Sequence, residues 1–168
     1  MTGYLDLIDH HTKGPRCDVT PLFADYAAFS ALVADLAQRF TGAPIDLVAG
    51  IDALGFILGT ALAWHIKVGF LAIRKSGKLP VQVDRVEFID YTGQAKALEL
   101  RIGVLSQGEH VLLVDEWIET GAQVIAATTL IERQGAVVSG IAAIHIDLNA
   151  RTRPLLSQYN CQALEIEE

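Results

Sequence analysis

The chain has little positive charge to offer a polyanion. Its 13 lysine and arginine residues are outnumbered by 20 aspartate and glutamate residues, giving a formal net charge of -7. A nucleic-acid backbone needs a basic face, so no nucleic-acid partner is expected, although a local basic cluster can still hold a small anion. Cysteine is scarce as well. Cys17 and Cys161 are the only two, they lack metal-ligand spacing, and they read as free thiols in a reducing, cytoplasmic setting. The opening "MTGYLDLIDHHTK" has acids and histidines where a signal peptide needs a cationic end and an apolar run. No hydrophobic run reaches membrane-spanning length without interruption. The most apolar stretch, "LGFILGTALAWHIKVGFLAI", is broken by His65 and Lys67, which suits helix, turn and strand rather than a membrane span. No linker or low-complexity tract divides the sequence. What is present is apolar residue in quantity: at 51% hydrophobic over 168 residues, the chain can build a substantial core, and residues 1–168 read as one domain.

The pattern of that apolar content alternates between two periods. Phe29, Leu32, Val33, Leu36 and Phe40 recur at helical spacing, which predicts a helix over residues 25–40 that ends at Thr41-Gly42-Ala43-Pro44. "IDLVAG" (45–50) is a short, nearly continuous apolar run, as expected for a strand buried on both faces of a parallel sheet. A helix over 55–66 follows, with Trp64 expected in the core, and then a second buried strand, "VGFLAI" (68–73). In "ALELRI" (97–102), Leu98, Leu100 and Ile102 alternate with Glu99 and Arg101, the mark of a strand with one face in water. With "RVEFIDY" before it and a turn at residues 91–94, this section predicts an antiparallel hairpin standing off the main sheet. The turn "LSQGEH" leads to the buried strand "VLLVD" (111–115), a helix over 121–134 and a strand over 137–146. Such strand-helix-strand repetition predicts an α/β fold, a three-layer parallel sheet with helices on both faces.

Ligands of such sheets bind at the carboxyl ends of the strands. One stretch there, "VLLVDEWIETGAQ" (111–123), combines a buried strand, three acids and a Thr-Gly turn that opens a helix. Free backbone N–H groups and the helix dipole at Thr120, Gly121, Ala122 and Gln123 suit an anion. The adjacent acids Asp115 and Glu116 suit the vicinal hydroxyls of a ribose. The alternative is a set of exposed loop acids with Glu119 favoured by the helix start. Arg74, Lys75 and Lys78, around Ser76 and Gly77, form the densest basic patch, either a solvated turn or an anion site. Asp52, in the turn 50–55, either caps the following helix or serves a ligand. His10, His11 and His145 have no partners at ligand spacing, so the first two read as a solvated pair and His145 as a strand-end or core residue. Neither Ser76 nor Cys161 has a Ser/His/Asp or Cys/His arrangement near it in sequence.

Several of these segments together resemble type I phosphoribosyltransferases, most closely their adenine branch. The run of apolar residues, two acids and x-Thr-Gly-x-x is similar to that family's phosphoribosyl-diphosphate signature. "GIDALGFILGTALAWHIKVGFLAIRKSGKLP" (50–80) resembles the segment reading Gly-Leu/Ile-Glu/Asp-x-Arg-Gly-Phe and then Ile-Arg-Lys-x-Gly-Lys-Leu-Pro. "CDVTPLF" (17–23) resembles Arg-Asp-Ile-Ser/Thr-Pro-Leu, and "IDYTGQAKALELR" resembles the flexible loop Glu-Tyr-Gly…Leu-Glu. The resemblance runs from about residue 14 to residue 144.

It implies a type I phosphoribosyltransferase-like fold with a small hood and a flexible hairpin. The implied activity is transfer of 5-phosphoribose from phosphoribosyl diphosphate to a purine-like base, with release of diphosphate, as in purine salvage. Asp115 and Glu116 would hold the ribose hydroxyls, Thr120 to Gln123 the 5-phosphate, and Arg74 and Lys78, with Lys75, the diphosphate. Asp52 and Ala53 lie in the loop whose backbone, in a strained turn, meets the diphosphate in the family. Asp90 and Tyr91 match the Glu-Tyr pair of the closing loop. Glu119 stands where the hypoxanthine-guanine and xanthine-guanine branches carry an aspartate facing the purine, so it would act as a general base. The expected cofactor is Mg2+, bound mainly through the substrate, with no protein metal cluster. The expected state is a homodimer in the cytoplasm, away from membranes. Six positions depart from the adenine branch: Cys17 replaces Arg, Leu54 a basic residue, Glu119 Ala, Ala122 Gly, Gln123 Thr, and Trp117 a smaller side chain. Leu54 and Gln123 keep open an alternative, a non-catalytic sensor of phosphoribosyl diphosphate or a nucleotide. A third possibility is a fold kept for partner binding alone.

Overall fold

Helix formation begins where the apolar stripe begins. The computed structural model of the protein describes residues 3–13 and 17–167, so the start of the family-like stretch at residue 14 lies outside the described residues. After a single 3-10 turn at Leu5–Leu7 come α1 (Thr20–Ala24) and α2 (Tyr26–Arg39). Asp25 caps α2, its side chain accepting the Ala28 N–H at 2.8 Å, which satisfies one of the amides left over at a helix start. Leu32, Val33 and Leu36 form the buried stripe, with Phe40 closing it just past the helix end.

β1 (Leu47–Ile51) leads into α3 (Leu54–Ile66) and β2 (Gly69–Lys75). The hairpin strands β3 (Val83–Ile89) and β4 (Ala95–Arg101) follow, then β5 (His110–Val114) and the short β6 (Trp117–Ile118). α4 (Ala122–Arg133), β7 (Val137–Asp147), α5 (Arg153–Gln158) and β8 (Cys161–Glu167) complete the order. β1 pairs in parallel with β2 and β5, and β7 pairs in parallel with β5, β6 and β8. Helices cover both faces. Val48, Leu112, Val114 and Ile144 pack with α2 and α3, whereas Ala49, Val111, Leu113 and Ala143 pack with α4 and α5. That two-sided burial is why these strands read as continuous apolar runs, and each fully buried Leu or Val contributes about 1.5–3 kcal/mol.

Two expectations are corrected by the structure. The hairpin does not stand off the sheet: β4 pairs antiparallel with β2 through Arg74 and Lys75, opposite Glu99 and Leu98, so the sheet is mixed and continuous. Trp64 is not a core residue. It is 86% exposed, because α3 turns Leu58, Leu62 and Ala63 inward and a helix has only one face toward the sheet. No helix among the described residues is long and apolar enough to cross a membrane.

Candidate active site

β1, β2 and β5 run parallel, so their carboxyl ends open onto one edge of the sheet. β5 delivers Asp115, which is only 3% exposed. Its Oδ1 accepts the Glu116 N–H at 3.0 Å, and its Oδ2 accepts the Gln123 side-chain amide at 2.9 Å. Burial pushes the Asp115 carboxyl well above its usual range, the neighbouring Glu116 carboxylate pushes it further, and the Gln123 amide pulls it back. The Glu116 carbonyl accepts the N–H groups of Ile144 and His145 at 3.1 and 3.3 Å, tying the acid pair to β7. Gly121 begins α4 with φ +72, and a Cβ at that position would stand 2.9 Å from Leu155 Cδ1. The positive φ calls for glycine. The first return bond of α4 runs from the Ile125 N–H to the Gly121 carbonyl at 2.9 Å. The N–H groups of Gln123 and Val124 therefore have no acceptor within the helix and lie at its positive end. Thr120 Oγ1 sits 3.4 Å from the Ala122 N–H. The Gln123 side chain, expected among the phosphate donors, is engaged with Asp115.

The β1–α3 turn depends on two glycines that touch. A Cβ on Gly50 would stand 2.3 Å from the Gly55 carbonyl oxygen, and one on Gly55 would stand 2.7 Å from that of Val114. The Asp52–Ala53 peptide is cis. Asp52 does not cap α3, whose first flanking residue is Ala53 with no side-chain cap. The Asp52 N–H bonds the Ile73 carbonyl at 3.0 Å, which holds the residue beside β2. From there its carboxylate accepts from Arg74 Nε at 3.2 Å and from the Lys75 N–H at 3.4 Å. The Arg74 guanidinium also lies 5.7 Å over the Phe56 ring, so Arg74 ties the end of β2 to the β1–α3 turn and the start of α3. Lys75 and Lys78 are exposed and enter no ion pair among the described residues.

Between the 119–123 turn and the hairpin lies a cleft of about 550 Å³. One wall carries Asp115, Glu119, Thr120, Gly121 and Gln123, and the other carries Lys75, Asp90 and Tyr91. Eight of the expected residues thus share one space. Glu116, Ala122, Asp52, Ala53, Arg74 and Lys78 belong to the adjoining turns and do not line it. Asp90 faces its own turn, with Oδ1 accepting from the Thr92 hydroxyl at 2.6 Å and from the N–H groups of Thr92 and Gln94 at 2.9 and 3.0 Å. The Thr92 hydroxyl is the main reason its carboxyl stays below the usual range. Trp117 also lines the cleft and stacks on His145, with centroids 4.0 Å apart and planes 12° from parallel. His145 is a core residue, 2% exposed, with Nε2 2.8 Å from Asp147 Oδ1.

Sequence reasoning missed three sets of contributors. Asn149 donates from Nδ2 to the Glu119 carbonyl at 2.6 Å, and the fully buried Thr152 holds Asn149 in turn. The signal was an unremarkable turn, "NART", with no periodicity to mark it. Arg85 and Glu87 of β3 line the cleft, and their place on the alternating hairpin was the available clue. The third is Glu99. Read as facing water, it is 3% exposed. It accepts the N–H groups of Gly77 at 2.8 Å, Lys78 at 2.7 Å and Leu79 at 2.8 Å. The loop after β2 folds over its carboxylate, and that is why strand alternation misplaces it.

The family model for the phosphoribosyl transferase domain matches residues 24–167. An adenine phosphoribosyltransferase of Bordetella avium is 44% identical over 131 residues, covering 78% of this chain and 71% of that protein. Among solved structures, adenine phosphoribosyltransferase from Thermoanaerobacter pseudethanolicus superposes with a TM-score of 0.89 at 30% identity, covering 99% of each chain. The Giardia lamblia enzyme, solved in complex with 9-deazaadenine, gives a TM-score of 0.87 at 29% identity over 98% of this chain and 96% of that one.

Proposed function

Since the chain belongs to the phosphoribosyltransferase family, we propose that it transfers 5-phosphoribose from phosphoribosyl diphosphate to a purine base, with release of diphosphate. The observation that carries this reading is the single cleft in which the end of β5, the Thr120–Gly121 turn, Lys75 and the hairpin tip meet. In the reaction, the bond from ribose C1 to the diphosphate oxygen breaks as a bond from C1 to a ring nitrogen forms. The proton lost by that nitrogen passes to Glu119, whose side of the cleft adjoins Trp117 as a flat wall for a purine. The amides at the start of α4 and the Thr120 hydroxyl receive the 5-phosphate, and Ala122 belongs to that nest through its backbone. Glu116, with Asp115 beside it, takes the ribose hydroxyls. Lys75 and Lys78 meet the diphosphate charge as it develops. Arg74 and Asp52 hold the loop carrying Ala53, and Asp90 and Tyr91 shape the hairpin that shields the centre from water.

Mg2+ fits as a companion of the substrate. The available donors are carboxylate oxygens, and no three His, Cys, Asp or Glu side chains converge among the described residues. When bound, the ion neutralises part of the diphosphate charge. A cytoplasmic homodimer is part of the same reading, with the exposed Ile57 and Trp64, two turns apart on α3, as an apolar contact stripe. One observation favours the second reading, a non-catalytic sensor of phosphoribosyl diphosphate or a nucleotide: Leu54, standing where a basic residue would contact diphosphate, is half-buried and packs against the apolar core.

Isothermal titration with phosphoribosyl diphosphate and Mg2+, beside ribose 5-phosphate and AMP, tests the site. All three ligands should bind, and the Thr120→Ala, Gly121→Glu double variant should lose them together. Absence of binding by the wild-type protein would sink both the enzyme and the sensor.

A further inference from the structure

Glu99 sits in an unusual position for a carboxylate on an alternating strand. It is buried under the turn that follows β2, and its two oxygens together accept three consecutive backbone N–H groups, those of Gly77, Lys78 and Leu79, at 2.7–2.8 Å. Short, convergent bonds to an ionised acceptor are the strong kind. Glu99 also stands opposite Arg74 in the β2–β4 register. Burial pushes its carboxyl up, but the amides of Gly77, Leu79 and Lys78, with the Arg74 charge, outweigh burial and keep it below the usual range.

This arrangement has a consequence for the basic turn. Amides that bond Glu99 point inward, so the turn offers its lysine side chains, not a nest of N–H groups, to an anion. The attachment of the hairpin to the sheet is narrow there: two register pairs, Arg74 with Glu99 and Lys75 with Leu98, and the Ser76 N–H to the Ala97 carbonyl at 3.0 Å. The three Glu99 bonds extend that attachment past the end of β2. Lys75 and Lys78 on the turn, and Asp90 and Tyr91 at the tip, are thereby carried on one connected unit.

Building on the phosphoribosyltransferase reading, we propose that Glu99 is a positioning residue for diphosphate recognition. It fixes the backbone from Gly77 to Leu79, and with it Lys78, against the β4 strand that pairs Lys75, so that the turn beside the cleft is held for the leaving group and coupled to the hairpin. Glu99 does not touch substrate.

The test compares wild type with Glu99→Gln and Glu99→Ala by titration with Mg2+-diphosphate and with AMP, which carries no diphosphate. Glu99→Gln removes the charge and one acceptor oxygen while keeping the shape. Its Kd for Mg2+-diphosphate should rise about tenfold or more, the size of a lost bond to a charged group, while AMP affinity stays within about twofold. In turnover, KM for phosphoribosyl diphosphate should rise more than kcat falls. Unchanged diphosphate affinity, or an equal loss for both ligands, overturns the proposal. Amide exchange on the wild-type protein is independent of how the variants fold. Strong protection at Gly77, Lys78 and Leu79 relative to the intrinsic exchange rate at each pH, falling below the pH at which Glu99 protonates, supports the clamp, and absence of protection at every pH overturns it. A wild-type protein that binds neither ligand instead overturns the functional reading on which the inference rests.

Discussion

Replacing Gln123 by leucine separates two roles for that side chain, phosphate donor and partner of a buried acid. Its amide donates to Asp115 Oδ2 at 2.9 Å, and Asp115 is 3% exposed. Losing a hydrogen bond to a charged, buried acceptor costs about 1.5–3 kcal/mol, and for a domain of this size each kcal/mol lowers Tm by about 2–4 °C. The expected loss is therefore about 3–12 °C without any ligand. The pH dependence sharpens the test. Folding raises the Asp115 pKa above its ordinary value of 3.8, so this residue favours the fold when protonated in both states. That favourable contribution disappears as pH rises from the unfolded value through the raised native one. The Gln123 bond supports the ionised form. Its removal should cost little at pH 4 and progressively more toward pH 8. Chemical denaturation of wild type and Gln123→Leu at pH 4, 6 and 8 measures this directly. A variant as stable as wild type at every pH, with AMP affinity lost, would rule out a structural role beside Asp115 and return Gln123 to the phosphate.

The glycine contact makes a second prediction: Gly50→Ala places a methyl 2.3 Å from the Gly55 carbonyl oxygen, and overpacking of that kind costs about 1–3 kcal/mol or more, visible as a lower midpoint in a urea melt. Lys75→Ala, Lys78→Ala double substitution should weaken Mg2+-diphosphate binding and flatten its dependence on salt, since exposed charges are screened over about 10 Å at 0.1 M; titration at two ionic strengths gives the slope. Burial raises the Cys161 thiol to about 11, so it should resist a thiol-specific chromogenic reagent in the native state and react only in denaturant.

How far the sequence carried depended on whether a residue's partner was near it in the chain. The α2 stripe of Leu32, Val33 and Leu36, and the two-faced strand Val111 to Val114, obey local periods and are buried as those periods predict. Clustering of Thr120, Gly121 and Asp115 also follows locally, from a strand ending in acids before a helix start. Glu99 was illegible because its partners lie 20 to 22 residues away in a loop with no period. Trp64 was illegible for a different reason. α3 is apolar nearly all round, "LGFILGTALAWHI", so nothing in its composition says which side meets the sheet. Asn149 acts on Glu119 across 30 residues, through a contact that only the β7–α5 connection creates.

Turnover separates a phosphoribosyltransferase from a sensor. Purified protein, phosphoribosyl diphosphate and Mg2+ should release diphosphate only when a purine base is added, in equal amounts with the nucleotide formed, and a panel of adenine, guanine, hypoxanthine and xanthine should identify the acceptor. Release that requires a base, with loss of activity in Glu119→Gln, is the predicted result. Tight binding of phosphoribosyl diphosphate with no base-dependent release across the panel would contradict the enzyme and leave the sensor standing.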